Sequence, residues 1–117
     1  MLGKNRDRVS IIAAILKAAR EGSSKTHIMV EANLSFDLLE KYLDVALEAE
    51  LMQTNSSRYH LTEHGREFLR EYGFFEERYF RAQKALETLV SERERLNQYC
   101  ENAKLLQTIR PARTANM

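Results

Sequence analysis

The 117-residue sequence predicts a mainly α-helical protein with one small β-hairpin. Three short amphipathic segments come first, and two β-prone segments that flank a polar turn follow them. A long segment with an unbroken heptad pattern completes the chain. The order helix, helix, helix, hairpin, helix is that of a winged helix-turn-helix, and the heptad predicts a dimeric coiled coil.

The first two helices are predicted from apolar spacing and from the residues that end them. The first spans about Asn5 to Arg20, since apolar residues recur at helical intervals: Ile11, Ile12, Ile15, Leu16 and Ala19. Gly22 is suited to the left-handed conformation that commonly ends a helix. A serine after it can cap a short second helix, which Asn33 can end in the same conformation. The apolar residues of this second helix are Ile28, Met29 and Ala32.

The third helix and the hairpin follow directly. Ser35 is the predicted N-cap of the third helix. Its buried stripe is predicted to consist of Leu39, Leu43, Ala46 and Leu47. Two short strands, 51–54 and 58–61, then flank a polar turn formed by Asn55, Ser56 and Ser57. Thr62 is the predicted cap of the last helix.

The last helix carries the strongest pattern in the chain. One stripe of mainly apolar residues, spaced alternately four and three apart, runs from Phe68 to Cys100. We call this stripe the seam, and Arg93 is its one polar member. From Thr62 to Asn102 this helix would be about 60 Å long, at ~1.5 Å per residue, which exceeds a small domain. The seam is therefore predicted to pair with a second copy of the chain. The predicted dimerisation residues are Tyr72, Phe75, Tyr79, Ala82, Leu86, Leu89, Arg93, Leu96 and Cys100.

This pattern divides the chain into three predicted parts: a winged-helix domain at residues 5–72, a coiled-coil helix at 73–103 and a flexible basic tail at 104–117. Gly73 lies off the seam, so we expect it to bend the helix at a cost of about 1 kcal/mol without ending it. A break at Gly73 that gives two helices is the less favoured alternative. Pro111 ends any helix before the tail.

Composition restricts the class of protein. The chain is 44% hydrophobic and 30% charged, which is typical of a soluble domain with a modest core. No apolar run approaches the ~18 residues of a membrane span, and the charged start predicts no secretory signal. The single cysteine, Cys100, permits no intrachain disulfide, and it fits a reducing, cytoplasmic compartment.

Charge is distributed unevenly along the chain, although the net charge is only +1. Residues 1–30 carry six basic and two acidic side chains, whereas residues 31–50 carry one basic and six acidic ones. Residues 103–117 carry three basic side chains and no acidic one. Positive potential is therefore expected near the two ends of the sequence, and a local patch of this kind steers association more than the total charge does.

Four segments of the chain resemble one known family. They are RVSIIAAIL at 8–16, KTHIMVEANLSFDLL at 25–39, KYL at 41–43 and YHLTEHGREF at 59–68. Over about residues 6–72 the sequence resembles the archaeal winged-helix family that includes the ten-kilodalton DNA-binding proteins of Sulfolobus. The resemblance implies duplex DNA binding, by a nucleoid-associated chromatin-type protein or by a transcription regulator. It also implies that the long helix forms an antiparallel coiled-coil dimer, whereas the heptad itself leaves the orientation open.

Two positions depart from the pattern of that family. Glu50 stands where the family usually has a glycine before the first strand. Ala46 stands where the buried stripe of the third helix usually has a leucine. Neither change is expected to break the fold, but Glu50 adds a negative charge near the expected DNA-binding face.

The predicted DNA-binding residues come from three parts of the winged helix. The front of the third helix is expected to enter the major groove through Ser35, Phe36 and Lys41. The start of the second helix can bind a phosphate through Lys25 and Thr26. The hairpin turn is expected to reach the minor groove or a phosphate through Asn55, Ser56, Ser57 and Arg58.

The third helix also supports a different function. Its expected exposed positions include the acidic residues Asp37, Glu40, Asp44 and Glu48. Carboxylates can accept a hydrogen bond from cytosine, but they repel the DNA backbone. The alternative hypothesis is therefore a protein-interaction module that keeps the winged-helix shape and does not bind DNA.

No arrangement of residues predicts an enzyme. The four glycines are isolated and form no phosphate-binding loop, and there is no nucleophile motif. The histidines, His27, His60 and His64, lack a cysteine cluster or a common helix face, so we expect no metal site. The sequence accordingly predicts no cofactor and gives no sign of a small-molecule substrate.

Overall fold

The computed structural model describes residues 6–109, with side chains described through residue 102. Its elements are α1 (Arg8–Ala18), α2 (Lys25–Glu31), α3 (Phe36–Glu48), β1 (Met52–Asn55), β2 (Arg58–Leu61) and α4 (Glu63–Ile109). Their order confirms the predicted fold class. The chain divides into two compact units, of which the first ends at Arg78 and the second begins at Tyr79, within α4.

Each of the three short helices begins at a capping side chain. The caps are Asp7 for α1, Ser24 for α2 and Ser35 for α3. In each case the side-chain oxygen accepts the backbone N–H three residues further on, at 2.8 to 3.2 Å, which satisfies one of the donors that a helix leaves unpaired. The two serine caps confirm the prediction, whereas Asp7 lies inside the longer helix that periodicity predicted.

Helices α2 and α3 end in the same backbone motif. The residue after each C-cap adopts a left-handed conformation, Asn33 with φ 56° and Glu50 with φ 62°. The next residues, Leu34 and Leu51, donate their N–H groups to the carbonyl five residues back, at 3.1 and 2.9 Å. Asn33 behaves as predicted. The conformation of Glu50 explains why the resembled family favours glycine at this position.

The hairpin forms a small antiparallel sheet with one further residue. Strands β1 and β2 pair from Met52 opposite Leu61 to the turn. Ser23, in the segment between α1 and α2, pairs with Tyr59 through two backbone hydrogen bonds of 3.0 and 2.8 Å. The start of the helix-turn-helix is therefore joined directly to the hairpin.

The core of the first unit lies where the three short helices, the hairpin and the start of α4 meet. It contains the predicted apolar residues of the short helices except Met29 and Leu47, which are partly buried against it. Its largest fully buried side chains are Ile15, Leu16, Ile28 and Leu39. Helix α4 contributes Leu69 and Tyr72. The exposed fraction of Tyr72 is 7%, so its own chain already covers this predicted dimerisation residue. Burial raises the pKa of the Tyr72 hydroxyl, and the carboxylate of Glu76, which accepts its hydrogen bond at 3.5 Å, raises that pKa further.

Helix α4 is continuous through Gly73, so the break considered as an alternative is not present. The helix extends through Ile109, the last described residue, beyond the predicted end at Asn102, because helix-forming residues continue past the heptad. The remaining basic residues of the predicted tail, Arg110 and Arg113, lie outside the described residues.

The end of α3 and the start of α4 meet at one junction. The carbonyl of Leu51 accepts the N–H of Thr62 at 3.1 Å, and the carbonyl of Glu50 accepts the Thr62 hydroxyl at 2.6 Å. The hydroxyl oxygen of Thr62 in turn accepts the N–H of Gly65 at 3.0 Å, which confirms Thr62 as the cap. A Cβ atom on residue 65 would overlap the carbonyl oxygen of Leu51, so this close approach requires glycine.

Replacing Gly65 tests the junction. Gly65→Ala is expected to lower the free energy of unfolding by about 1–3 kcal/mol, because the methyl group must displace the backbone of Leu51. Gly73→Ala is the matched control, since a Cβ there meets no described atom within 4 Å. This control should raise the stability by about 1 kcal/mol, because alanine is the better helix former. Urea unfolding measures both changes, and a Gly65→Ala protein as stable as the wild type would contradict the close approach.

A second stability prediction concerns the end of α3. Glu50→Gly is expected to raise the free energy of unfolding by about 0.5–1 kcal/mol, since the left-handed conformation costs an L-residue ~1–2 kcal/mol and the flexibility of unfolded glycine offsets part of the gain. The control is Lys41→Gly, at an exposed position in the middle of the same helix, which should lose about 0.5–1 kcal/mol. Thermal unfolding of the two variants measures these changes in stability, which should be opposite in sign. A loss of stability in both variants would contradict the explanation that Glu50 is strained in its left-handed conformation.

Candidate nucleic-acid interface

The first turn of α3 is exposed at the surface of the first unit. The exposed fraction of Phe36 is 58%, and Ser35 is exposed as well. The opposite face of the helix carries Leu39 and Leu43, which are 0% and 3% exposed. The core thus holds α3 by one face and leaves its beginning accessible, as a helix that enters the major groove requires.

A cluster of three side chains links α2 to α3: Lys25, Phe36 and Glu40. The ammonium of Lys25 forms an ion pair with the carboxylate of Glu40 and lies 5.3 Å from the centre of the Phe36 ring. The hydrogen bond to Glu40 raises the pKa of Lys25, and the charges of Glu40, Tyr59 and Asp44 raise that pKa further. The structure thus brings together two predicted site residues, but it also supplies Lys25 with a counter-ion inside the chain.

The remaining predicted residues of the helices are exposed. The ammonium of Lys41 lies 5.2 Å from the centre of the ring of Tyr42, its neighbour in the sequence. Thr26 is exposed in the first turn of α2. These positions are accessible to a large ligand, and contact with DNA at each of them remains a prediction.

The wing, the hairpin of β1 and β2, has a tight turn of two residues; the prediction of a three-residue turn was wrong, because Asn55 is paired in β1. Ser56 and Ser57 both have positive φ, 53° and 67°, and lie between the paired residues Asn55 and Arg58. This is the form of a type I′ turn, whose twist matches that of the strands. The guanidinium of Arg58 donates a hydrogen bond of 3.1 Å to the carbonyl of Gly22. Arg58 is therefore fixed against the segment between α1 and α2 instead of extending from the tip of the wing.

Four acidic residues form a row along α3, at intervals of three and four: Asp37, Glu40, Asp44 and Glu48. Three are exposed, and Glu40, which binds Lys25, is half-buried. Lys41 is the one basic residue of α3. The potential that this helix presents is therefore negative except near Lys41, in agreement with the charge distribution of the sequence.

A cleft of about 710 Å³ lies beside the wing, between the end of α1, residues 20–24 and α2. We call it the α1–wing cleft. Residues that sequence analysis did not single out contribute to it, among them Arg20, Glu21, Ser24 and Glu31. They come from separate segments and have no common period, so only the fold brings them together. Arg58 also lines this cleft, because its hydrogen bond to Gly22 holds it there.

The second unit carries the predicted seam on its helix. The apolar seam residues are exposed: Tyr79 at 40%, Leu86 at 60%, Leu89 at 59% and Leu96 at 62%. Ala82, Arg93 and Cys100 are exposed as well. Phe75, which belongs to the first unit, is 41% exposed. These values describe a single chain, so pairing of the seam with a second copy stays a prediction.

Sites of two other kinds are absent from the described residues. Within residues 6–109, His, Cys, Asp and Glu side chains form no group of three or more that could hold a metal ion. None of the helices in the same range is long and apolar enough to cross a membrane.

The helix-turn-helix of α2 and α3, together with the paired wing, defines a class of protein, the winged helix-turn-helix proteins. Modules of this class typically bind double-stranded DNA through α3 and the wing. A family model described as winged helix-turn-helix matches residues 5–80, and the chain belongs to that family.

Two solved structures have a similar fold. The crystal structure of Sso10a-2, a DNA-binding protein from Sulfolobus solfataricus, is 22% identical, with a TM-score of 0.58 over 72% of this chain and 96% of that one. The structure of wild-type ZitR from Lactococcus lactis is 19% identical, with a TM-score of 0.53 over 89% of this chain and 79% of that one. At these identities the similarity concerns the fold, and it confirms the winged helix that the sequence resemblance implied. A comparison with curated proteins found no match.

Proposed function

We propose that this protein is a dimeric double-stranded DNA-binding protein, a transcription regulator or chromatin-type protein of the archaeal kind. Its role is binding and not catalysis. Three facts support the proposal: the family of the chain, the resemblance of residues 6–72 to archaeal DNA-binding proteins, and the similarity to a Sulfolobus structure that is described as a DNA-binding protein.

The exposed first turn of α3 is the observation that carries this proposal. Ser35 fixes the turn as its N-cap, and the buried face of α3 anchors it to the core. Phe36 is a large apolar side chain that is left exposed in this turn, although burial against the core would stabilise the monomer. A side chain of this kind can contact the methyl group of thymine in the major groove.

The charges of the same surface suggest how DNA would be bound. Phosphate contacts normally supply most of the affinity, and α3 carries one lysine against its acidic row. The amides and hydroxyls of the wing turn, together with Arg58, are then the main candidates for backbone contacts. Lys25 can contribute only if it exchanges Glu40 for a phosphate, so Glu40 competes with DNA for this lysine.

The exposed seam of the second unit supports the dimer. A heptad of apolar side chains that are 40% to 62% exposed is stable in water only when another helix covers it. A second copy supplies a helix with the same seam, and a two-fold pair buries both seams at once. Such a dimer would carry two winged-helix units and could bind two half-sites or two duplexes.

A gel shift across a salt series tests DNA binding. We expect retardation of duplex DNA at low salt, with an affinity that falls steeply as salt rises. Combining Lys25→Ala with Arg58→Ala should reduce the logarithmic salt slope by about 0.9 for each phosphate that the variant no longer binds. Glu40→Gln should strengthen binding, because it releases Lys25. Arg70→Ala, at an exposed position of α4, is the control and should leave the slope unchanged.

The absence of a gel shift at low salt, with a protein that is folded by circular dichroism, would rule out the DNA-binding function. An unchanged slope in the double variant would rule out the two predicted contacts and leave the function intact.

The acidic row of α3 favours a second candidate function, recognition of a partner protein with a basic groove. Reversing the charges with Glu40→Lys and Asp44→Lys discriminates the two functions. The change should weaken binding of a basic protein partner, since it removes the complementary charge. It should strengthen or spare DNA binding, since it removes repulsion from the phosphates.

The seam gives a prediction about the oligomeric state. Light scattering at micromolar concentration should give the mass of a dimer for the wild type. Combining Leu86→Asp with Leu89→Asp should give a monomer, because two charges would be buried in the pair without partners. Glu94→Lys, on the same helix but off the seam, is the control and should remain dimeric. A wild-type monomer would overturn the dimer and leave the DNA-binding test unaffected.

Cys100 reports the orientation of the paired helices. Parallel helices would bring two Cys100 thiols together, so mild oxidation should cross-link the dimer readily. Antiparallel helices that cross well before Cys100 hold the thiols apart, and the dimer should resist oxidation. The resemblance to the archaeal family implies the second result.

A further inference from the structure

We propose that the α1–wing cleft is a binding site for a phosphate group. Its volume of about 710 Å³ lies within the range of small-molecule sites, ~300–1,000 Å³. Two arginines from different parts of the fold line the cleft, Arg20 just after α1 and Arg58 at the start of β2. Arginine is the side chain best suited to phosphate, because its planar guanidinium binds two oxygens at once.

Arg58 is held in position for this role. One N–H group of its guanidinium is donated to the carbonyl of Gly22, at 3.1 Å. The guanidinium has five N–H donors, so several remain for a ligand. Arg20 is exposed, and within the described residues no ion pair with a carboxylate neutralises it. Lys17 also lines the cleft, but its ammonium lies over the ring of Tyr72, 5.5 Å from the ring centre.

The floor of the cleft is rigid. Ser23 is tied to Tyr59 by two backbone hydrogen bonds, and its hydroxyl donates to the carbonyl of Ala18 at 2.7 Å. Gly22 has φ 88°, and a Cβ on it would lie 2.8 Å from the ring of His60. A ligand therefore meets a floor and an Arg58 side chain that are already in place, and the side-chain entropy lost on binding is mainly that of Arg20. Ser24 adds a hydroxyl whose oxygen caps α2 and whose hydrogen can be donated to a phosphate oxygen.

The cleft also contains two carboxylates, Glu21 and Glu31, which oppose an anion. A cation is the competing ligand, but no metal-binding group of three acidic, histidine or cysteine residues forms within the described residues. Both carboxylates are exposed, so solvent screens their repulsion, whereas hydrogen bonds from an arginine to a phosphate act at contact distance. The arginines therefore outweigh the carboxylates for a phosphate in direct contact.

The phosphate could come from two sources. A free phosphate-bearing small molecule fits the volume of the cleft. The backbone of a duplex that contacts the wing is the other source, because Arg58 belongs to both the wing and the cleft, and this version rests on the proposed function. Two titrations separate the sources.

In the first titration, inorganic phosphate and then adenosine 5′-monophosphate are added to the full chain, and the backbone amide signals of Gly22, Ser23 and Ser24 are followed by NMR. Chloride at matched ionic strength is the blank. In the second titration, the salt slope of binding to a random-sequence duplex is measured. Arg20→Gln and Arg20→Glu are the test variants, because Arg20 is exposed and its replacement leaves the core intact. Arg70→Gln is the control.

Saturable shifts with phosphate that weaken about tenfold or more in Arg20→Gln would establish a free phosphate as the ligand, since the variant cannot form the charge-assisted hydrogen bond. No such shifts, together with a salt slope reduced by about 0.9 in Arg20→Gln, would establish the duplex backbone as the source. If neither titration responds to the Arg20 variants, the inference is wrong, even when the wild type binds DNA. Saturable phosphate shifts in a protein that binds no DNA would overturn the proposed function and leave this inference standing.

Discussion

The arrangement of the first unit depends on the backbone contact between the end of α3 and the start of α4. Thr62 donates hydrogen bonds to the carbonyls of both Glu50 and Leu51, and it also caps α4 through Gly65. Leu51 simultaneously closes the end of α3 through its own N–H group. Because the hairpin is the segment enclosed between these residues, one contact fixes the exit of α3, both ends of the wing and the first turn of α4. The tip of the wing can therefore be short and polar, since this contact and the buried side chains of Met52 and Leu61 hold the base of the hairpin to the core.

On the proposed function, the charges of the candidate interface would lower its affinity for DNA in general and raise its selectivity for particular sites. An acidic α3 repels the DNA backbone, and Glu40 already neutralises the lysine at the start of α2. On the proposed function, nonspecific affinity would be low, and binding would occur where base contacts of α3 offset the repulsion. Carboxylates can take part in such contacts by accepting from the amino group of cytosine. The same charges that weaken the case for a general packaging protein therefore fit a protein that selects its sites.

The sequence predicted those features that depend on local patterns. The local sequence predicts a serine cap for α2, the caps Ser35 and Thr62, the left-handed Asn33 and a polar hairpin turn, and the heptad predicts the continuous α4. Contacts between distant segments were not predictable: Lys25 with Glu40, Arg58 with Gly22, and the lining of the α1–wing cleft. Tyr72 shows the limit of periodicity most clearly. It satisfies the heptad, yet the same position also faces the core of its own unit, and spacing cannot distinguish a partner in the chain from one in a second copy.

Weak individual binding units are compatible with tight binding when two of them are joined. Once one winged helix of a dimer has bound, the second meets its site at an effective concentration of about millimolar, which can raise the overall affinity ~10²–10⁴-fold without any new contact. This increase is available only where two sites have the spacing that the dimer imposes. A unit that binds too tightly by itself would lose this dependence on spacing, because each half-site would fill independently. On the proposed function, the acidic row of α3 and the exposed seam of α4 would act together, because pairing through the seam would convert low affinity per unit into selectivity for paired sites.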